Sequence, residues 1–380
     1  MKTVFLGPHV RMPLREASSM RSYEMACSLG QENNPVWLAG KSAVWLMDGT
    51  RVQKIQRIFA RNDKIGSALQ AAWHGGHYLV YKHLSPEWCR AAVELLNQTQ
   101  PETVIVSFLW AYPAFRNHLQ GCRVLIDTHN YDPEWWRNFH SHTRNPLRRH
   151  LARNAEAYIL QVLQELPATV ELIHVSQRDC EFYRQHRPDL RHHVLPNGCS
   201  PPPAGGRGVD YGAPIKKLYF IGLLSSQMSR DALEYFARKF WPELRDFCDF
   251  WVMGSDPDRA VKKLCRQQGW KQAYNLTEED VAQHLGSMHY LVLPFAYGAG
   301  TKLKLVDACC RGIPVLSTAA GATGYPTVPR SVFLSESAME WRQHARSHVP
   351  LADEVEAARN FGHDYSWDNL VRRFRMEILG

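Results

Sequence analysis

The stretch that decides the fold lies at residues 291–318 and reads LVLPFAYGAGTKLKLVDACCRGIPVLST. An apolar strand ending at Pro294 leads into a glycine-rich loop. A helix then begins near Thr301 and ends at Gly312, because glycine is typical of the position just after a helix end. The next strand opens at Pro314. Strand, loop, helix and strand in this order predict a βαβ unit and therefore a parallel sheet.

The loop in this unit has the composition of an anion-binding site. A glycine-rich loop that enters a helix presents unpaired backbone N–H groups, with the positive end of the helix dipole behind them, and this arrangement suits a diphosphate. Lys302 and Lys304 add positive charge at the same end. Asp307 follows about two turns into the helix, where a carboxylate can accept hydrogen bonds from a ribose diol.

The same alternation of strands and helices runs through the chain. Strands are predicted at 3–6, 36–39, 104–107, 124–127, 172–175, 193–195, 218–221, 250–253, 290–293, 314–317 and 332–334. Helices are predicted at 18–29, 87–96, 149–166, 230–245, 259–268 and 278–285. The pattern predicts an α/β protein with two doubly wound, Rossmann-like domains. Ligands of such domains bind at the carboxyl ends of the strands.

A segment dense in Gly and Pro divides the chain almost in half and predicts a linker at 198–214. We therefore expect an N-terminal domain at 1–197, a C-terminal domain at 215–363 and a terminal helix at 364–380 that returns to the first domain. Two such domains joined near the middle predict a cleft between them.

Composition excludes several classes of protein. The apolar fraction of 45% is ordinary for a globular protein, and no run approaches the roughly 20 apolar residues of a transmembrane helix. The N-terminus turns polar too early for a signal peptide and predicts a buried strand. The nine cysteines, with no Cys-x-x-Cys pair, argue against a disulfide framework or a zinc site and favour a reducing cytosol. The P-loop pattern Gly-x-x-x-x-Gly-Lys-Ser/Thr is absent, which disfavours ATP or GTP hydrolysis.

The net charge of +8 is uneven. Residues 137–153 carry five arginines and three histidines without an acidic residue. A patch of this kind attracts membrane headgroups, anionic glycans or nucleic acid, or is a solvated helix face. No nucleic-acid-binding motif accompanies it, so we expect no nucleic-acid partner.

The stretch at 291–318 resembles the donor-binding signature of glycosyltransferase family 4, a family of GT-B fold. The family pattern is matched at Gly298, Gly300, Thr301, Lys304, Ala308, Gly312, Pro314 and Val315. Asp307 stands where the family usually has glutamate. Ala299 stands where many members have a second carboxylate, which the Gly-x-Gly-Thr subgroup also lacks.

Weaker matches occur in the family's order along nearly the whole chain. Gly222 and Gly254 end the strands that resemble the first two of the nucleotide domain, although Leu223 stands where members often carry a cation. His129, in Ile126–Asn130, resembles the histidine that faces the donor sugar. The loop and first helix after the first strand contain Arg15, Ser18, Ser19 and Arg21, which the resemblance assigns to the acceptor side.

The resemblance implies transfer of a sugar from a nucleoside-diphosphate sugar to a hydroxyl, with retention of configuration, no divalent metal and no cofactor. His129 and Lys304 are the expected catalytic residues. Gly222, Gly254, Gly298, Gly300, Thr301, Lys302 and Asp307 are the expected donor-binding residues. Glycan, lipid-linked or protein acceptors are expected, as in synthesis of cell-surface polysaccharides or glycoconjugates, in a cytoplasmic protein with peripheral contact to an anionic membrane.

Other functions on the same fold stay open. An epimerase or phosphorylase would use the same cleft, and it would form product without an acceptor or would need free phosphate. A catalytically silent relative would bind the nucleotide and turn nothing over.

Overall fold

The computed structural model describes residues 2–12, 14, 17–30, 34–49, 51–58, 77, 83–130, 132–142, 146–200, 209–297 and 301–379. The chain divides into two compact units. Unit 1 comprises Met1–Pro196 and Leu370–Gly380, and unit 2 comprises Asn197–Asn369. The last residues of the chain therefore belong to the same unit as the first.

Unit 1 is built on an eight-stranded sheet. Its strands are β1 (Thr3–Gly7), β2 (Val36–Gly40), β3 (Ala43–Asp48), β4 (Arg51–Arg57), β5 (Thr103–Ser107), β6 (Arg123–Asp127), β7 (Glu171–His174) and β8 (Arg191–Val194). They lie in the order β4-β3-β2-β1-β5-β6-β7-β8. All neighbours are parallel except β2/β3 and β3/β4. The central strands β1 and β5 are buried along their whole length, as expected for parallel strands covered on both faces.

The helices of unit 1 connect these strands. The α-helices are Ala17–Leu29, Pro86–Thr99, Asp132–His142, Pro146–Gln164 and Gln177–His186, with 3-10 turns at Leu109–Ala114 and Arg116–His118. The local sequence explains their starts. Ser85 accepts a hydrogen bond from the Trp88 backbone ahead of Pro86, and Ser176 accepts one from the Asp179 backbone. The terminal helix Trp367–Phe374 and the π turn Arg375–Leu379 end the chain.

Unit 2 is built on a six-stranded parallel sheet. Its strands are β9 (Lys216–Leu223), β10 (Cys248–Ser255), β11 (Lys271–Tyr274), β12 (Tyr290–Leu293), β13 (Val315–Ser317) and β14 (Val332–Leu334). They lie in the order β11-β10-β9-β12-β13-β14. The helices are Gln227–Lys239, Trp241–Leu244, Arg259–Gln268, Glu278–Gly286, Leu303–Cys310, Ala338–Ser347 and Ala352–Asp364, with a 3-10 turn at Ala319–Ala322.

The predicted fold class, two doubly wound α/β domains, is confirmed. Each predicted strand and helix is present with ends shifted by a few residues, and the helix predicted at 230–245 is divided at Phe240. The prediction missed β4 and β11, which lie at sheet edges, and β3, which lies between β4 and β2. The antiparallel β3 and β4 follow no βα rhythm, and all of β4 is exposed, so it lacks the apolar run that identified the others.

Two cysteines that are distant in sequence meet in unit 2. The sulfur atoms of Cys199 and Cys310 are in contact. Their Cα atoms are 7.6 Å apart, beyond the roughly 4.4–6.8 Å of ordinary disulfides. The odd cysteine count gave no indication of this contact.

The structure contains no membrane-spanning candidate among the residues it describes: none of their helices combines the length and the apolar character that crossing a bilayer demands.

Candidate functional site

In unit 2 the sheet has its topological switch point between β9 and β12, because the chain builds β10 and β11 on one side of β9 and then returns to place β12 on the other. Ligands of doubly wound sheets bind at the carboxyl ends of the strands at such a point. Here those ends are Leu223 and Leu293. The sequence-predicted donor site follows β12 directly and lies at this edge.

The ammonium group of Lys304 lies at this switch point. Its Nζ atom is 4.5 Å from the ring centroid of Phe220 on β9 and 5.7 Å from that of Phe295 after β12. A Cβ atom added to Gly222 would lie 2.5 Å from the same Nζ atom. Burial, and secondarily the nearby Lys302, lowers the pKa of Lys304 to about 7. The lysine is therefore a buried cation with two aromatic faces and no carboxylate among its described neighbours.

The helix that carries Lys304 begins without a side-chain cap. It spans Leu303–Cys310, two residues later than predicted at its start, with Lys302 at the N-cap position. No side chain from the described part of the chain caps it, so its first backbone N–H groups point to the end where Lys304 lies. Gly312, with φ +63°, follows its end as predicted.

The segment before this helix is held from within unit 2. The Thr301 hydroxyl accepts a hydrogen bond from Asn197 Nδ2 at 2.7 Å, and the Lys302 carbonyl accepts one from the Tyr325 hydroxyl at 3.2 Å. Lys302 is 8% exposed, and its Nζ atom lies 5.4 Å from the ring centroid of Phe295. Both lysines thus converge on Phe295.

The two strand-end glycines approach each other closely. Gly222 on β9 and Gly254 on β10 are register partners. Gly254 has φ +139°, and a Cβ atom there would lie 1.9 Å from the Gly222 carbonyl oxygen. Glycine is therefore required at 254 both by conformation and by space. The result is a bare backbone surface at the edge where Lys304 lies.

Two charged residues considered from the sequence already have partners. Asp307 accepts hydrogen bonds from Arg311 Nε at 3.1 and 3.0 Å through its two oxygens. Arg230, the cation nearest to Gly222 in sequence, pairs with Asp258. A ribose would share Asp307 with Arg311. Gly298, Gly300 and Arg15 lie outside the described residues.

In unit 1 the switch point lies between β1 and β5. His9 follows β1, Phe108 follows β5, and His129 follows β6. Phe108 and His129 both have positive φ, +70° and +58°, and their rings stack with centroids 4.2 Å apart. His9 meets His129 edge to face at 5.1 Å. Strained backbone at non-glycine residues concentrates at functional sites.

A buried ion pair lies beneath this aromatic cluster. Arg21 donates to Asp127 from Nε at 3.0 Å and from Nη2 at 2.9 Å, and from Nη1 to the Pro196 carbonyl at 3.0 Å. Arg21 is 1% exposed and Asp127 is fully buried. Burial raises the pKa of Asp127, but Arg21 and His129 outweigh this effect and leave that pKa below its usual value. Asp127 is thus ionised and neutralised by Arg21.

His129 lies against this pair as a neutral ring. Its Nε2 atom is 3.3 Å from Asp127 Oδ2 but makes no hydrogen bond to any described group, and the residue is 4% exposed. Burial lowers the pKa of His129 to about 4; Asp127 opposes this shift and Arg21 reinforces it. At neutral pH the imidazole is uncharged, and its Nε2 atom is shielded from water without a hydrogen-bond partner among the described residues.

The residues predicted on the acceptor side do not share one surface. Ser19 donates from its hydroxyl to the His9 carbonyl at 2.9 Å, whereas Ser18 is half-buried in the first turn of Ala17–Leu29. Arg21 faces the interior. The sequence reasoning missed His9 and Asp127; each stands at or just beyond the carboxyl end of a predicted strand, and that position was the available signal.

One further group of metal-ligating side chains meets in unit 1. Ligand atoms of His174, Cys180 and His192 lie within 4.8 Å of one another. His174 Nε2 and His192 Nδ1 are hydrogen bonded at 2.9 Å. Their other ring nitrogens contact Thr128 Oγ1 and the Arg187 carbonyl. Hydrogen bonds to protein groups therefore occupy both nitrogens of His174 and of His192.

Comparison with known proteins finds a family that matches part of the sequence and solved structures with a similar fold. Residues 215–337 match the family described as glycosyl transferases group 1. No curated protein matches the chain by sequence. A solved sucrose-phosphate synthase from Thermosynechococcus elongatus is similar in fold with TM-score 0.71 and 11% identity, over 99% of this chain and 98% of that one.

Two further solved structures match over the full length of both chains. One is WaaG, a glycosyltransferase involved in lipopolysaccharide biosynthesis, with TM-score 0.63 and 15% identity. The other is HepE of Anabaena in complex with UDP, with TM-score 0.61 and 12% identity. At these identities the likeness establishes the fold, and the match at 215–337 establishes the domain. The chain therefore has the GT-B fold, and residues 215–337 of its second unit match the group 1 glycosyl transferase family.

Proposed function

We propose that the protein transfers a sugar from a nucleoside-diphosphate sugar to a hydroxyl acceptor, with retention of configuration and without a divalent metal. The observation that carries the proposal is the buried ammonium group of Lys304 at the β9/β12 switch point, beside an uncapped helix N-terminus. A cation and converging N–H groups at the carboxyl edge of a doubly wound sheet suit a diphosphate.

Unit 2 supplies the electrostatic part of the reaction. The bond between the anomeric carbon and the diphosphate breaks with its electron pair on the departing diphosphate. The acceptor oxygen forms the new bond to the anomeric carbon, and its proton passes to the departing diphosphate. Negative charge therefore grows on the leaving oxygen. Lys304 and the first N–H groups of Leu303–Cys310 are fixed before the reaction and stabilise that charge. Lys302 adds a second cation from the N-cap position.

Unit 1 supplies the carbohydrate part. The His129 ring is neutral at pH 7, and its Nε2 atom, which has no hydrogen-bond partner in the described part of the chain, can hydrogen bond to a hydroxyl of the transferred sugar. Its backbone strain and its stacking on Phe108 hold the ring in one orientation. No carboxylate is assigned as a nucleophile, so the proposal contains no covalent intermediate.

The proposed acceptor is based on the cationic segment at 137–153 and on the structurally similar glycosyltransferase WaaG. WaaG acts in lipopolysaccharide biosynthesis, and we propose an acceptor of the same broad kind: a glycan, a lipid-linked glycan or a glycosylated protein of the cell surface. The cationic segment at 137–153 would hold the protein reversibly at an anionic membrane, on its cytoplasmic face.

A donor screen tests the proposal. UDP-, GDP- and dTDP-sugars are titrated by calorimetry, and those that bind are assayed for transfer with and without a hydroxyl acceptor. We expect one nucleotide to bind best, and turnover to require acceptor and to persist in excess EDTA. Product formed without acceptor would indicate an epimerase, and a requirement for phosphate a phosphorylase. Binding without turnover would indicate a silent relative. Activity that EDTA abolishes and Mg²⁺ restores would contradict the metal-independent mechanism.

A further inference from the structure

His9 faces the same aromatic cluster as His129 and has not been assigned a role. It is the second residue after β1, on the other side of the switch point from Phe108. Its ring contacts Phe108 at 4.7 Å and His129 at 5.1 Å between centroids, both edge to face. The residue therefore lies at the edge of the sheet where a doubly wound domain binds its ligand.

One nitrogen of His9 is held by the protein and the other is not. Nε2 lies 3.2 Å from the Ser22 hydroxyl, which in turn lies 3.0 Å from the Ser107 hydroxyl. Nδ1 is shielded from water and has no hydrogen-bond partner among the described residues. The ring also interacts with the Ser18 backbone, which raises the pKa of His9 against the larger effect of burial. A buried polar atom without a partner costs about 1–3 kcal/mol, and a ligand group that forms a hydrogen bond with it removes that cost. His129 Nε2 is the second such atom in the same cluster.

Both histidine rings are neutral, and the charges of the neighbouring Arg21 and Asp127 neutralise each other. Burial first, and His129 second, keep the pKa of His9 well below its usual value, and the pKa of His129 is about 4. The nearest ionised groups, Arg21 and Asp127, bind each other at 2.9–3.0 Å and are both buried. Among the described residues, a ligand at the two histidines therefore meets hydrogen-bonding groups and an ion pair that is neutral overall. A carboxylate or phosphate placed there would be desolvated without a counter-ion.

We propose that His9 Nδ1 and His129 Nε2 together bind hydroxyl groups of an uncharged sugar, and that this pair excludes sugars that carry an acidic group at those positions. The inference rests on the proposed sugar transfer and adds a binding residue and a substrate class to it. Hydroxyls are the matching ligands because each can donate to one neutral imidazole nitrogen and accept from another.

Side-chain replacements at His9 distinguish the two nitrogens. In asparagine the amide lies near the position of Nδ1, whereas in glutamine it reaches the position of Nε2. We therefore expect H9A and H9Q to lower kcat/KM for the donor sugar about tenfold or more, and H9N to stay within about threefold of wild type. The dissociation constant of the free nucleoside diphosphate should not change in any of the three variants, because that ligand lacks the sugar. Circular dichroism and thermal melting confirm that each variant is folded.

A matched pair of donors tests the charge argument. The hexose donor that the screen identifies is compared with the donor of the same nucleotide that carries a carboxylate at sugar C6. We expect the carboxylate donor to be used at least about tenfold less well, a difference of about 1.4 kcal/mol.

The outcomes distinguish failure of the proposed sugar transfer from failure of the role assigned to His9. If the wild type transfers no sugar from any donor, the proposed function fails and the His9 assignment fails with it. If the wild type transfers sugar but H9A and H9Q match it, or H9N is as impaired as H9A, the assignment of His9 is overturned and the function stands. Equal use of the neutral and the acidic donor would overturn the substrate class.

Discussion

The Nζ atom of Lys304 lies 4.5 Å from the centre of the Phe220 ring, at the carboxyl end of β9. A cation above an aromatic face is attracted to the ring, but the contact replaces only part of the hydration that burial removes. Burial of this lysine therefore lowers the stability of the folded protein. It also positions a cation where an anionic ligand can bind.

Replacing Lys304 with methionine should lower activity and raise stability together. We expect kcat to fall at least about tenfold, because the cation that meets the leaving group is lost. The free energy of unfolding at pH 7 should rise, by about 1.4 kcal/mol for each unit by which burial depresses the pKa of the lysine. Urea unfolding and steady-state kinetics measure the two effects. Lys263→Met, at an exposed site on Arg259–Gln268, is the matched control and should change neither. Loss of stability in Lys304→Met would contradict this interpretation.

The pKa of about 7 predicts a pH dependence with a definite sign. The donor-free enzyme needs Lys304 protonated, so kcat/KM should fall as pH rises through about 7. Stability should change in the opposite direction: the unfolded lysine holds its proton up to about pH 10.4, so the penalty of burying it shrinks between pH 7 and 10. Lys304→Arg cannot lose its proton in this range and should show lower activity without this step. A wild-type profile that rises from pH 7 to 8 would refute the assignment.

Asp307 should contribute to nucleotide affinity in competition with Arg311. Asp307→Asn should weaken binding of the nucleoside diphosphate about tenfold, consistent with loss of a charge-assisted hydrogen bond to ribose. Arg311→Ala frees the carboxylate and should leave affinity unchanged or increase it. Calorimetry on both variants decides the question. If Arg311→Ala weakens binding as much as Asp307→Asn, the ion pair itself orders the site and the ribose contact is wrong.

Breaking the Arg21–Asp127 pair should be strongly destabilising. Arg21→Met leaves Asp127 buried without its counter-ion, and we expect a loss of about 3–5 kcal/mol in the free energy of unfolding. Since the folded pKa of Asp127 is depressed, its contribution is present above the unfolded pKa and is lost as pH falls through the folded value. The control is Arg123→Met, because its partner Glu171 keeps a second contact to His193 and lies nearer the surface. Equal losses in the two variants would show that the burial of Asp127 is not decisive.

The cationic segment at 137–153 should bind anionic membranes weakly. The structure shows that Glu156, three residues beyond it, pairs with Arg137 and His140, so these two cations are partly neutralised. Arg149 and Arg153 are exposed on Pro146–Gln164. Arg144, and the side chain of Arg148, lie outside the described residues.

We expect the Arg144, Arg148 and Arg149→Ser triple variant to co-sediment less with anionic liposomes, since each cation contributes about 1 kcal/mol at low salt. Its nucleotide affinity should equal that of the wild type. A control triple variant, Arg259, Lys262 and Lys263→Ser, removes three exposed cations from unit 2 and should bind liposomes normally. Equal binding by all three proteins, or none by the wild type at low salt, would exclude this surface. Competition by an acidic oligosaccharide would then identify a site for an anionic acceptor.

Most of the structure of the donor-binding segment could be predicted from residues that are neighbours in the sequence. The run 291–318 contains its strand, glycine loop, helix and helix-ending Gly312 in order, and such local features depend on turn chemistry and apolar periodicity. The edge strand β4 was missed for the same reason, since it lacks the apolar run on which the prediction relied, and the antiparallel β3 that pairs with it follows no βα alternation. The ion pair of Asp307 with Arg311 was within reach of the sequence, because residues four apart share a helix face.

The sequence by itself determined two doubly wound units and the place of Lys304 after a glycine loop. Tertiary structure alone decided that Arg21 neutralises Asp127 across 106 residues and that His9 and His129 meet at one sheet edge. The reason is physical: local patterns fix each strand and helix, but the sheet order that brings the ends of β1, β5 and β6 together depends on the packing of the whole unit. Burial of those ends then sets which charges are cancelled and which nitrogens are left for a ligand.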